Sequence, residues 1–293
     1  MNVRSYTDAD AAAVAALVAA DEEALYGRPS RTQASDVAVW FSYYEEGWLF
    51  EEDGVLLAAG AFGVHGEVGA IVGVVAAKGR GLGTEIVERG EERARARVLP
   101  KVHGMTREPD GAVRRLFESR GYGEVRRFYD MAIELDAAPE VPALPLGLVL
   151  EPVGEDDYRA FYDALDEAFQ DHWEWHSPPY DEWLQRRRGQ HRDEHGPLWF
   201  VIRDGDELAA VARNEAERGG GGYVGALGVR RPWRGRGLAK ALLLHSFADF
   251  HRRGQARVTL NVDADSPTGA THLYERVGMH VESCGVVFEK ELR

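Results

Sequence analysis

Cysteine occurs once in the 293 residues, at Cys284. No internal disulfide can form, a reducing, cytoplasmic compartment is expected, and Cys284 is not taken as a nucleophile. Positive charge is also in deficit: 35 Lys and Arg against 49 Asp and Glu give a net charge of −14. A nucleic-acid binder needs a basic face, so that class of partner is excluded. The acidity suits an enzyme that handles cationic substrates. Both halves of the chain share it, so charge gives no reason to assign them different partners. No stretch approaches the ~18 apolar residues of a membrane span, and the first residues lack an apolar signal core. A membrane is therefore not expected as a partner either. The phosphate motif Gly-x-x-x-x-Gly-Lys-Ser/Thr is missing as well, and no Gly-x-Gly-x-x-Gly with a downstream acidic ribose partner is convincing. His191-Arg-Asp-Glu-His195 has metal-like spacing, but its mixed charges before Gly196-Pro197 read as a solvated helix end, and no metal is expected.

What is present is enough apolar sequence, 44%, for proper cores, and a length that suits two domains. The run Val229 to Ala239, Val-Arg-Arg-Pro-Trp-Arg-Gly-Arg-Gly-Leu-Ala, follows a strand pattern and opens a helical one. Unpaired amides and the positive end of the dipole make a helix N-terminus an anion site. Glycines let the backbone approach a diphosphate closely. The same run also fits a tight turn with no ligand.

Read in order, Asn2 to Ser5 is a strand, and Thr7 or Asp8 caps an alanine-rich helix to about Leu25. Ala34 to Tyr44 is a second helix. Trp48–Glu52 and Val55–Val64 form a hairpin about Asp53-Gly54, and Val68–Ala76 is a central strand. A helix follows from Leu82, then a strand at Val102–Thr106, a helix at Asp110–Ser119 and a final hairpin to Leu135. Pro139, Pro142 and Pro145 stiffen the stretch Ala137–Leu146 into a linker. The order then repeats: strand 148–153, helices 155–169 and 179–188, and a hairpin about Asp204-Gly205. The strand 223–229, helix 238–253, strand 257–263, helix 268–277 and strand 286–292 complete it. Lys78-Gly-Arg-Gly-Leu returns as Arg234-Gly-Arg-Gly-Leu, and Val113, Leu116, Phe117 and Gly121 return as Ala270, Leu273, Tyr274 and Gly278. Two anchors at nearly one separation make this an internal duplication. Domains are expected at 1–136 and 147–293.

Arg234-x-x-Gly237-x-Ala239 resembles the coenzyme A pyrophosphate signature of the GCN5-related N-acetyltransferases (GNAT superfamily), Gln/Arg-x-x-Gly-x-Gly/Ala. Ala270 to Gly278 resembles that superfamily's last helix, with a tyrosine shortly before a glycine. The resemblance implies an α/β (α+β) chain of two tandem GNAT-like domains. Each would be a mixed, mostly antiparallel sheet flanked by helices, with its fourth and fifth strands splayed around acetyl-CoA. Among tandem members the chain resembles mycothiol synthase and its actinobacterial relatives, mainly in Val262-Asp-Ala-Asp265 and the repeated domain.

The implied activity is acetyl-CoA-dependent N-acetylation of a primary amine, on a small-molecule acceptor, by direct attack in a ternary complex. Carried onto this sequence, backbone groups of Leu227, Gly228 and Val229 hold the pantetheine. Arg234, Gly235, Arg236, Gly237, Ala239 and Lys240 cradle the diphosphate, and Ser266 and Thr268 line the far side. Tyr274 protonates the departing thiolate as general acid; a core aromatic on the helix's apolar stripe is the alternative reading. The first domain, with Phe117 at that place and Lys78 opening its turn, is expected to be degenerate. The fourth strand of the second half carries no carboxylate to act as base. The remaining candidates for the base lie on Asp171-His172-Trp173-Glu174-Trp175-His176, where Asp171, His172 and Trp173 are also expected to contact the acceptor; Asn261 and Asp263 are further candidates, and ordered water stays open. A non-catalytic acyl-CoA-binding module on the same fold stays open beside the enzyme.

Overall fold

The computed structural model describes residues 1–292. The first repeat runs β1 (Asn2–Ser5), α1 (Ala11–Tyr26), α2 (Ala34–Phe41), β2 (Glu46–Glu52), β3 (Val55–His65), β4 (Val68–Val75), α3 (Leu82–Ala96), β5 (Lys101–Arg107), α4 (Gly111–Ser119) and β6 (Gly123–Glu134). The second runs β7 (Leu148–Pro152), α5 (Tyr158–Phe169), α6 (Tyr180–Arg187), β8 (Arg192–Asp193), β9 (Gly196–Pro197), β10 (Phe200–Asp204), β11 (Glu207–Glu215), β12 (Gly222–Val229), α7 (Leu238–Arg252), β13 (Arg257–Asp263), α8 (Ala270–Arg276) and β14 (His280–Glu291).

Two expectations are corrected. The hairpin expected before Leu135 is a single twelve-residue strand, β6, because nothing from Gly123 to Glu134 supplies a turn. The His191–His195 run is not a helix end. It folds as the short pair β8 and β9, since Tyr158 draws His191 into the interior through a 2.7 Å hydrogen bond between Oη and Nδ1.

The chain forms two compact units, Met1–Phe128 with Ser283–Arg293, and Tyr129–Glu282. The partition differs from the contiguous domains expected at 1–136 and 147–293. The last strand of the second repeat, β14, lies largely in the unit built from the first repeat, and the second half of β6, from Tyr129, lies in the unit built from the second. In the first unit, β14 pairs antiparallel with β5 from Gly285 opposite Arg107 to Glu291 opposite Lys101. Lys290 on β14 reaches the buried carboxylate of Glu91 on α3 at 2.9 Å. Arg95 also pairs with Glu91, at 2.9 Å, and Tyr122 donates to it at 3.2 Å. Burial alone would raise the Glu91 pKa, but these hydrogen bonds and charges hold it below the ordinary carboxylate value.

The second unit is ordered β6, β13, β12, β11, β10, β7; β7, β10, β11 and β12 pair antiparallel in turn, and β12 meets β13 in parallel. Buried Arg257 at the start of β13 donates to Glu134 of β6 at 2.7 Å and also to Glu282. One core lies under α7 and α8, around Met131, Leu243, Phe247, Phe250, Leu260 and Tyr274. Another lies under α5, where Phe161 stacks on Trp199 with centroids 5.0 Å apart and also on Trp183. Truncating such a buried aromatic costs about 3–5 kcal/mol. The first turn of α5 is thereby packed against α6 and the residue before β10. No helix among the described residues is long and apolar enough to cross a membrane.

Candidate active site

The turn before α7 starts from chain chemistry that only glycine satisfies. Gly235 and Gly237 sit at φ 78° and 79°, the left-handed region, where a side chain is strained. Gly237 is the N-cap of α7, and no side chain caps it. The first amides of α7 therefore have no preceding turn to bond to, and the helix dipole puts partial positive charge on them. A Cβ placed on Gly235 or Gly237 would meet nothing within 4 Å, so the backbone faces open space. Arg236 and Lys240 lie exposed beside it. This is an anion cradle made of main chain.

The strand leading into that turn is bent. β12 pairs with β11 in one register from Val229 opposite Ala210 to Ala226 opposite Arg213, and shifts before Val224 opposite Asn214. Gly225 is the extra residue, a β-bulge, which bends a strand and re-aims it. The guanidinium of Arg213 donates to the Gly225 carbonyl at 3.0 Å and holds the bulge. On its other edge β12 pairs with β13 only at Gly222 opposite Val258 and Tyr223 opposite Thr259, and the two strands then part. Arg230 N–H donates to Ala209 of β11. By strand alternation, Leu227 and Val229 turn their main-chain groups into the gap. Gly228 is needed for a different reason: a Cβ there would lie 2.7 Å from Ala168 Cβ at the end of α5.

Tyr274 on α8 is buried, 8% exposed, in the core that includes Val224 of β12 and Leu260 of β13. Burial, with a smaller contribution from the neighbouring Tyr223 phenol, pushes its pKa up to about 12. At neutral pH it keeps its proton.

Three kinds of comparison agree. The acetyltransferase (GNAT) family model matches residues 14–122 and again 158–279. The chain belongs to that family. It is similar to a GCN5-related N-acetyltransferase of known structure from Sphaerobacter thermophilus, with 34% identity and a TM-score of 0.84 over 100% of this chain and 96% of that one. A tandem GNAT protein from the clavulanic acid biosynthesis pathway shares the fold at 16% identity, with a TM-score of 0.73 over 99% and 98% of the two chains. Mycothiol acetyltransferase of Streptomyces scabiei is 30% identical over 73% of this chain and 67% of its own. That of Nocardiopsis dassonvillei is 29% identical over 72% and 70%. The chain is a tandem GNAT protein and an acetyl-CoA-dependent N-acetyltransferase.

Within this GNAT chain the residues expected at the site take up different posts. Gly235, Arg236, Gly237, Ala239 and Lys240 form the turn and the first turn of α7. Arg234 does not project freely: it donates to Val229 O at 3.1 Å, to Asp171 at 2.9 Å and to Ala168 O at 3.3 Å. It ties the end of β12 to the C-terminal end of α5, where its charge also suits the helix dipole. Asp171 pairs with both Arg231, at 2.6 Å, and Arg234. Hydrogen bonds from Arg231 and then Arg234 hold its carboxyl below the usual range. Asn261 donates to Asp130 of β6 at 2.8 Å. Ser266 and Thr268 bond to each other at 2.9 Å just before α8. Trp173 is half-buried in the loop after α5, and its neighbour Trp175 anchors that loop by donating to Asp166 at 3.0 Å. His172 is half-buried and stacks on Phe169 with ring centroids 4.4 Å apart.

Sequence reading missed Arg213, Gly225, Phe169 and Tyr223. Arg213 and Gly225 are linked only through a register shift, which no local pattern announces. Tyr223 stands on β12 with the Arg218 guanidinium 4.1 Å over its ring.

The first unit repeats the scaffold with different contents. Gly79 and Gly81 have φ 81° and 80°, and β4 parts from β5 after Ile71 opposite Gly104. Yet β3 and β4 run in one unbroken register, so no bulge bends β4. Phe117 is buried against Tyr122 and Phe288. The turn's cations are already matched, Lys78 by Asp21 at 3.1 Å and Arg80 by Glu52 at 2.8 Å.

Proposed function

We propose that the second unit transfers acetyl from acetyl-CoA to the primary amine of a small molecule, by direct attack in a ternary complex, and that the first unit is a degenerate copy. The observation that carries this reading is the joint presence, in one unit, of the open glycine turn, the bulged and splayed β12, and Tyr274. The first unit keeps the turn and the splay but has neither the bulge nor the phenol. The small-molecule acceptor is supported by the name of the mycothiol acetyltransferases to which the chain is similar.

In this reading the amides from Gly235 to Ala239, with Arg236 and Lys240, bind the diphosphate. The inward main-chain groups of Leu227 and Val229 line up the pantetheine, and an N–H there polarises the thioester carbonyl. One such donor is typically worth ~3 kcal/mol in the barrier. Ser266 and Thr268 flank the coenzyme on the α8 side. Tyr274 acts on the departing sulfur. With its pKa at about 12, full proton transfer to a thiolate whose thiol has pKa ~8.5 is uphill by ~5 kcal/mol. Its contribution is therefore a hydrogen bond from a retained phenol proton, with the proton itself coming from the attacking nitrogen.

The test is thiol release from acetyl-CoA across a library of primary amines, with Tyr274→Phe and Phe117→Leu side by side. Amine-dependent release that falls with the first change and not with the second supports the reading. Coenzyme binding without release in any amine would instead indicate a non-catalytic acyl-CoA-binding module.

A further inference from the structure

We propose that His172 is the general base of the second unit, taking the proton that the acceptor amine sheds as it attacks the thioester. The proposal rests on the acetyl transfer read above, and it names the group that β12, with no carboxylate, does not supply.

The loop after α5 brings the ring to the parting strands. His172 N–H bonds back to Phe169 O at 2.8 Å, and its ring lies stacked on Phe169. The Phe169 ring in turn lies 3.4 Å from the Cβ position of Gly228, between the two β12 residues whose main chain faces the gap. The charges that act on the imidazole come from each neighbouring element: Asp263 at the end of β13, Asp171 beside it in the loop, and Arg234 in the turn. Through Phe169 the ring thus packs against the C-terminal part of β12. Among the described residues neither of its ring nitrogens has a hydrogen-bond partner. Burial lowers its pKa from the ordinary 6.5, so the ring is neutral at pH 7 and has a lone pair to offer.

The other candidates are engaged. Both oxygens of Asp171 are taken by Arg231 and Arg234. Asp166 receives the Trp175 indole and the Ser177 hydroxyl. Asn261 has no basic atom, and buried Asp263 accepts the Asp265 amide at 3.0 Å.

The step balances as follows. The amine enters as its free base, its lone pair forms the N–C bond, and the carbonyl π pair moves to oxygen. His172 takes one N–H proton from the now cationic nitrogen. The tetrahedral adduct then re-forms the carbonyl, the C–S bond breaks with its pair on sulfur, and the imidazolium returns the proton to the thiolate. Amine and thioester become amide and thiol, with no other reactant.

The experiment compares the wild-type chain with His172→Gln and His172→Asn, using acetyl-CoA and ethanolamine or another amine from the library that the wild type acetylates. The expected result is a kcat lower by 10²- to 10⁴-fold, the usual range for a positioned base, with the Kd for acetyl-CoA unchanged. The wild-type kcat should fall on the acid side with a midpoint below 6.5. The variants should lose that limb, and added imidazole should restore part of the rate. Variants matching the wild type in kcat and pH profile overturn the base role alone, leaving acetyl transfer standing. A wild type that binds acetyl-CoA and acetylates no amine overturns this proposal together with the function it rests on.

Discussion

Arg234 donates from Nη1 to Asp171 Oδ2 across 2.9 Å, which ties the loop after α5 to the turn before α7. The pair joins the segment carrying His172 to the segment proposed to bind phosphate. Under the proposed function a diphosphate in that turn draws on Arg234 as well, in competition with Asp171. Asp171→Asn should tighten acetyl-CoA binding by about 2- to 10-fold, while loosening the loop and lowering kcat; calorimetric titration and steady-state kinetics separate the two effects. Because its folded pKa is depressed, the tie holds through neutral pH. It is lost only as pH falls through that depressed value, below the ordinary 3.8.

Tyr274→Phe removes one hydroxyl and keeps the buried ring. The expected result is a kcat reduced by about 10- to 100-fold, with coenzyme affinity within about twofold of wild type. An unchanged kcat, measured by thiol release, would make Tyr274 a core aromatic and nothing more.

Gly237→Ala and Gly81→Ala place the same methyl at the same backbone angle, φ 79° and 80°, with open space around both. Each should lower stability by about 1–2 kcal/mol from the left-handed strain alone. Only Gly237→Ala should weaken acetyl-CoA in the catalytic assay, by about tenfold or more. Thermal melts give the shared effect and KM gives the difference. Equal loss of activity in both would place catalytic binding in the first unit as well.

Gly228→Ala meets Ala168 Cβ at 2.7 Å, and neither backbone can yield without moving α5. Overpacking of this kind costs about 1–3 kcal/mol. Because the loop of His172 begins where α5 ends, kcat should fall more than the loss of folded protein explains. Chemical denaturation and kinetics on the same preparation check this.

Glu91→Gln leaves Lys290 and Arg120 facing a neutral amide in a buried site. Removing one partner of a buried ion network costs about 3–5 kcal/mol. The wild-type contribution has a pH signature: the folded pKa of Glu91 is lowered, so the stabilisation is present above the unfolded carboxylate value and lost as pH falls below it. The stability difference between wild type and variant should therefore shrink on acidification below pH ~4.3. A constant difference would remove Glu91 from the role of anchoring β14.

Much of this protein was legible in local pattern. Asp53-Gly54 and Asp204-Gly205 mark their hairpins, and the apolar spacing after Gly81 and Gly237 marks α3 and α7. The splay of β12 from β13 and the open turn at Gly237 agree with what the family resemblance implies. Asp171 and Asn261 show what local pattern leaves out. Their acidic and amide character suited an acceptor, but character does not reveal partners, and the fold gives each one a neighbour from a distant segment.

Repetition, spacing and turn chemistry are properties of neighbours along the chain, so the sequence by itself determined two copies of one scaffold and the glycines of each turn. Which copy carries the bulged strand was decided in three dimensions. Gly225 becomes a bulge only because β11 and β12 slip one residue against each other, and Arg213 then clamps it. The exchange of closing strands was likewise out of reach of local pattern. β6 and β14 are both twelve-residue strands, and only cross-strand pairing and contacts such as Lys290 with Glu91 choose the neighbours each one takes.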